Sequence, residues 1–137
     1  MISTKGRYAL RVMIDLAEHN GEGYIPLKDI AARQEISKKY LEIIVKELVK
    51  GKMVSGQGGH GGGYVLCRKP EEYIIGEILE WMEGTLATVS CLTNDAPPCE
   101  RAGHCKTLPL WKEYDQLVHD FFYSKRLTDL IYPSGVR

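Results

Sequence analysis

The sequence predicts a mainly α-helical chain with one small β-hairpin: a three-helix unit carrying a hairpin wing, followed by a long helix. Three observations predict this. Apolar residues recur at helical spacing in three segments of the first half. Two short apolar runs around a glycine-rich tip follow the third segment directly. A stretch near the end, residues 107–131, has a wide apolar face.

The first helix rests on Tyr8, Ala9, Val12, Met13, Leu16 and Ala17 and stops at "HNGEG". Pro26 leads into "LKDIAARQ", a second short helix with Leu27, Ile30 and Ala31 on one face. "EIS" interrupts, and Ser37 is placed to cap "KKYLEIIVKELVKGK", where Leu41, Ile44, Val45, Leu48 and Val49 keep helical spacing. Gly51 stands where a left-handed residue would end that helix.

Two short helices joined by a tight turn, behind a supporting helix, form the helix-turn-helix pattern, whose second helix enters the DNA major groove. Lys38, Lys39, Tyr40 and Glu42 would then face the nucleic acid. A plain three-helix bundle with solvated charges explains the helices equally well, and the next segment separates the two. "KMVSGQGGHGGGYVLCRKP" starts a strand at Met53 and Val54 and returns at Tyr64, Val65 and Leu66. A hairpin directly after a recognition helix is the wing of a winged helix-turn-helix. Its six glycines from Gly56 to Gly63 would let backbone N–H groups approach phosphates, with a mobile, ligand-free tip as the alternative. "HGGG" matches an oxyanion-hole string of esterases, but no G-x-S-x-G elbow accompanies it, and the P-loop pattern is absent.

The second half opens at Pro70 with "EEYIIGEILEWMEG", where Ile74, Ile75, Ile78, Leu79 and Met82 predict a short helix ending at Gly84. An irregular loop rich in Asn, Asp and Pro follows. The last helix then presents Leu110, Trp111, Tyr114, Leu117, Val118, Phe121 and Phe122. So wide a face, with little other core to cover it, predicts packing against a second copy; folding back on its own domain is the alternative. The expected organisation is a DNA-binding region at 1–69, and at 70–137 a short helix, a cysteine loop at 91–105 and a long dimerisation helix at about 107–131.

Charge is divided the same way. Residues 1–69 hold 12 Lys/Arg against 7 Asp/Glu, net +5, and residues 70–137 hold 6 against 11, net −5. The basic half suits an anionic partner. At 137 residues one modest core is expected, and no apolar run approaches the roughly 20 residues of a membrane span. The charged opening "MISTKGRYALRVMIDLAEHN" is unlike a signal peptide, so the expected place is the cytoplasm. No nucleophile–base or carboxylate pair stands at a useful spacing, so an enzyme is not expected.

In "CLTNDAPPCERAGHC" three of the four cysteines, Cys91, Cys99 and Cys105, fall within fifteen residues. A reducing compartment argues against a structural disulfide. Zinc prefers a short C-x(2–4)-C bite, which is missing, and His104 adjoins Cys105 too closely to complete a set without strain. An iron–sulfur cluster tolerates wider spacing and non-cysteine ligands. The cluster is the favoured reading, with zinc and metal-free thiol redox chemistry left open. Cys67, on the returning strand, is expected to be a small buried residue.

"MISTKGRYALRVMIDLA", "ISKKYLEIIVKELVKGKMVSG", "GHGGGYVL" and the cysteine loop running into "CKTLPLW" together resemble the IscR/NsrR/CymR family of bacterial winged-helix transcription regulators, closest to its iron–sulfur branch. The resemblance runs from Met1 to about Ile131. It implies a homodimer on a palindromic double-stranded DNA operator, with a long helix from each subunit crossing at the interface. It also implies a [2Fe-2S] cluster on Cys91, Cys99 and Cys105. DNA-reading positions correspond to Lys39, Tyr40 and Glu42 and to the wing tip around Gly59 and His60, with support from Thr4, Lys5, Arg7 and Tyr8. Leu108 stands where IscR-like members place a ligating histidine, and Arg7 and Arg11 stand where other relatives supply a ligand from the partner. The candidates for a fourth ligand are His104, Glu100 and Asp95. Gly58 replaces an arginine common in the wing, which removes one minor-groove contact.

Overall fold

The computed structural model describes residues 2–93, 96–97, 100–101 and 103–132. The helix-turn-helix forms as the spacing predicts, from α1 (Thr4–Glu18), α2 (Leu27–Gln34) and α3 (Lys38–Lys50). Ser37 caps α3, its hydroxyl accepting the Tyr40 N–H at 3.1 Å. The wing is an antiparallel pair, β1 (Val54–Gln57) and β2 (Gly63–Leu66), with Val54 opposite Leu66 and Gln57 opposite Gly63. Ile25 and Tyr64 exchange two backbone hydrogen bonds of 2.9 Å, which fasten the wing to the segment entering α2. Gly63 permits this approach: its φ is +151°, and a Cβ there would collide with the Ile25 carbonyl.

A 3₁₀ turn at Pro70–Glu72 leads into α4 (Ile75–Glu83), and α5 (Leu108–Tyr123) and α6 (Leu127–Ile131) complete the chain. One core joins both halves. Val12, Met13, Leu16, Ile30, Leu41, Ile44, Val45, Leu48, Ile78, Leu79 and Leu127 are all buried in it. The α1 helix is its axis, packing on α2 and α3 and on α4 and α6.

Two buried polar groups fix the elements around that core. The Tyr73 hydroxyl donates to the Met53 carbonyl at 2.6 Å and accepts the N–H groups of Cys67 and Arg68 at 3.0 and 3.1 Å. It thereby ties both strand ends of the wing to the start of α4. Asp15, 1% exposed, receives Arg33 through two bonds of 2.9 and 2.8 Å and Gln34 at 3.1 Å, joining α1 to the last turn of α2.

Four expectations are corrected. Gly51 is not left-handed (φ −81°); Lys52 takes that conformation (φ 58°). At 51 a Cβ would stand 2.6 Å from the Trp81 indole, so a side chain there would have to displace that ring. Val49 is 39% exposed, lying outside the buried face of α3. Cys67 is exposed, because Leu66 takes the inward position of the strand and the pleat turns its neighbour out. The helix expected over about 107–131 is two helices. Its backbone is diverted at 125–127: the Lys125 carbonyl accepts the Ile75 N–H at 2.9 Å, and the Leu127 N–H donates to the Tyr73 carbonyl at 3.0 Å. That break lets Leu127 enter the core.

The Asp15 carboxyl lies below its ordinary 3.8: burial alone would raise it, but the bonds from Arg33 and Gln34 and the charges of Arg33 and His19 outweigh that. Its stabilising effect is complete above pH 3.8 and is lost as pH falls through the lower folded value. Asp15→Asn should therefore cost about 2–3 kcal/mol in urea unfolding at pH 7. It should also lose less stability than the parent protein on acidification below pH 3.8.

Candidate nucleic-acid interface and cysteine loop

The recognition helix and the wing form one concave face. A cleft of about 450 Å³ is bounded by the starts of α2 and α3 and the base of the wing, with Lys28, Lys38, Glu42, Gln57 and Gly62 to Tyr64 on its walls. Lys39 is exposed beside it, and Gly59 and His60 lie exposed at the wing tip. On α1, Thr4 and Arg7 are exposed and Lys5 is half-buried, and the Arg7 guanidinium donates to the Thr4 hydroxyl at 3.1 Å. Tyr8 and Tyr40 meet edge to face, ring centroids 5.6 Å apart, so both are partly taken up in joining α1 to α3. Lys28 and Gln57 were not legible as site residues, because folding alone brings the start of α2 and the wing to the same cleft.

Further contacts link this face to α4. The Trp81 indole N–H donates to the Glu47 carbonyl near the end of α3 at 2.7 Å. The Glu83 carboxylate accepts the Ser3 N–H at 3.1 Å and its hydroxyl at 2.6 Å, at the start of α1. Two residues of one helical turn thus hold both α1 and α3. On the side of α4 between Trp81 and Glu83, the Glu80 carboxylate accepts the Tyr123 hydroxyl, and burial together with that carboxylate pushes the phenol up to about 12.

The cysteine loop begins where α4 ends, at Gly84 with φ +85°. Thr88 anchors it to α5, its N–H donating to the Asp115 carboxylate at 2.8 Å. Cys91 is exposed in a 3₁₀ turn at Ser90–Leu92. Cys105 lies just before α5, its sulfur 3.4 Å from the Thr107 hydroxyl; that bond, with the Thr107 backbone, holds the thiol below its ordinary value. Arg101, His104 and Lys106 border the same surface depression, and Glu100 is exposed nearby in sequence. Cys99 and Asp95 lie outside the described residues. Among the described residues no three His, Cys, Asp or Glu side chains form a metal-ligand group. Leu108 begins α5, and Arg11 is bound to Gln34 of its own chain.

The α5 helix divides its apolar residues. Trp111, Val118 and Phe122 are half-buried, whereas Leu110, Tyr114, Leu117 and Phe121 form an outward stripe 51–64% exposed. Among the described residues no helix is long and apolar enough to cross a membrane.

Three helices with a hairpin wing and a basic recognition face define a winged-helix DNA-binding protein. Residues 2–133 match the model of the Rrf2 family, described as an iron-dependent transcriptional regulator, and the chain belongs to that family. It is 33% identical over 130 residues to the HTH-type transcriptional regulator IscR of Pectobacterium atrosepticum, covering 95% of this chain and 78% of the relative. The IscR of Photorhabdus laumondii is 34% identical over the same shares. Among solved structures, CymR, the global cysteine regulator of B. subtilis, superimposes with a TM-score of 0.78 at 36% identity, over 98% of each chain. The IscR of T. potens does so with a TM-score of 0.76 at 31% identity, over 98% of this chain and 88% of that one. These relatives are regulators of transcription, not enzymes, and their fold is mostly helical with a hairpin wing, as the sequence predicts.

Placement on the recognition face gives Lys39 and Glu42 different expected effects. Lys39→Ala should weaken binding to all duplexes alike and lower the slope of log affinity against log salt by about one for each subunit bound. Glu42→Ala should change which sequences are selected from a random duplex pool, with the salt slope unchanged.

Proposed function

We propose that the protein is a homodimeric, cytoplasmic repressor whose operator affinity is set by a [2Fe-2S] cluster on Cys91, Cys99 and Cys105, with IscR-like control of iron–sulfur cluster biogenesis as its role. One observation carries this reading. The two described thiols of the loop are solvent-reachable and unbridged, on the segment that leaves α4 just beyond Trp81 and Glu83. The soft, accessible donors suit an iron–sulfur group, and His104, Glu100 and Asp95 remain the candidates for a fourth position. When bound, the cluster would supply a centre sensitive to oxidation and nitric oxide.

The chain's own residues would transmit the change. A loop held differently at Cys91 and Cys105 alters the exit from α4 at Gly84. Glu83 then shifts against Ser3, and Trp81 against Glu47. Those contacts set the first turn of α1 and the last turn of α3, and so the spacing of the two recognition helices in a dimer. The outward stripe of α5 supports the dimer, because its four large apolar side chains match the single face expected at an interface between identical subunits. A second reading, thiol chemistry without metal, is favoured by the lowered Cys105 thiol and by likeness to the oxidized form of Staphylococcus aureus CymR, 33% identical with a TM-score of 0.73 over 100% of this chain and 98% of that one.

Anaerobic purification separates the two. The cluster reading expects visible-region iron–sulfur absorption with stoichiometric iron and sulfide, lost in Cys91→Ala, Cys99→Ala and Cys105→Ala and kept in Cys67→Ala. Operator affinity should change on adding nitric oxide, oxygen or chelator. A colourless, iron-free protein whose DNA binding responds to thiol oxidants would establish the second reading instead.

A further inference from the structure

We propose that Ile43 reads sequence by packing against the 5-methyl group of a thymine in the major groove; this rests on the reading that α3 is the helix that enters DNA. The core face of α3 is Leu41, Ile44, Val45 and Leu48, all essentially buried. At about 100° per residue, Lys39, Ile43, Lys46 and Lys50 fall within roughly 60° of one another on the opposite side. All four are exposed, Ile43 at 52%.

The flanks of that ridge are occupied. On one side Lys38 and Glu42 border the cleft against the wing, and on the other Tyr40 packs on Tyr8. Ile43 is thus a large apolar side chain on the middle of the face presented to the groove. A single exposed isoleucine on an ordinary surface needs no explanation. On this ridge its neighbours are lysines, which suit phosphates and guanine, and a carboxylate, which accepts from cytosine. None of them recognises the thymine methyl, and Ile43 does so by shape and water exclusion.

The test removes the methyl without touching the protein. An operator is first selected by the native protein from random-sequence duplex DNA, and each thymine is then replaced by deoxyuridine, which keeps every base-pairing and hydrogen-bonding group. One thymine per half-site should show about a fourfold loss of affinity, the value of one buried methyl at ~0.8 kcal/mol. Ile43→Ala should bind the thymine and deoxyuridine operators equally, with an unchanged helical circular dichroism spectrum and salt slope. A native protein indifferent to every thymine methyl, or an Ile43→Ala protein with the native dependence, would overturn the assignment. Failure to select any sequence would refute the placement of α3 in DNA, and this inference with it.

Discussion

The arrangement depends on the last turn of α4, where Trp81 and Glu83 hold the end of α3 and the start of α1. Each hydrogen bond alone stabilises by about 1 kcal/mol, more where a carboxylate accepts. Their importance lies in placement. An interface to DNA requires the recognition helix and its supporting helix to keep a fixed relation, and here both are referenced to one short helix. That helix ends in a positive-φ glycine at 84 from which the cysteine loop departs. The fit at Gly51 shows how little slack exists: a side chain there would meet the Trp81 ring.

Around this junction the polar interior is sparse and specific. Asp15 is the one buried charged side chain among the described residues, and it lies between the two helices that orient the helix-turn-helix. Arg33 keeps part of its surface in water, so the pair avoids the full desolvation cost of a buried bridge while satisfying the carboxylate. Tyr73 does the corresponding work for the wing with a single hydroxyl. The result is that α3 and the wing are each fastened by specific bonds, and the loop beyond α4 is tied to α5 through Thr88 and Asp115.

Features written in neighbouring residues were legible in advance. The Ser37 cap, the α2 bounds, the wing strands and the Gly84 stop each depend on a few consecutive side chains. Features created by distant partners were not. Asp15 looks like any surface carboxylate until Arg33 and Gln34 arrive; Gly51 looks like a helix terminator until Trp81 packs on it. The apolar spacing of residues 107–131 lapses after Phe122, at Ser124 and Lys125. The redirection of the chain there, however, is made by backbone bonds of Lys125 and Leu127 with Ile75 and Tyr73, distant partners that the sequence does not announce. Of the candidate site, Lys38 and Glu42 border one cleft with the base of the wing, whereas Tyr8 and Tyr40 are taken up in packing on each other.

Transmission through α4 is most directly tested by hydrogen–deuterium exchange on the anaerobically purified protein before and after the iron is removed by chelation. Protection should change in the cysteine loop, in the last turn of α4, in the first turn of α1 and in the last turn of α3, while the amides of α2 stay as they were. A change confined to residues 85–107, with α1 and α3 unaltered, would contradict it.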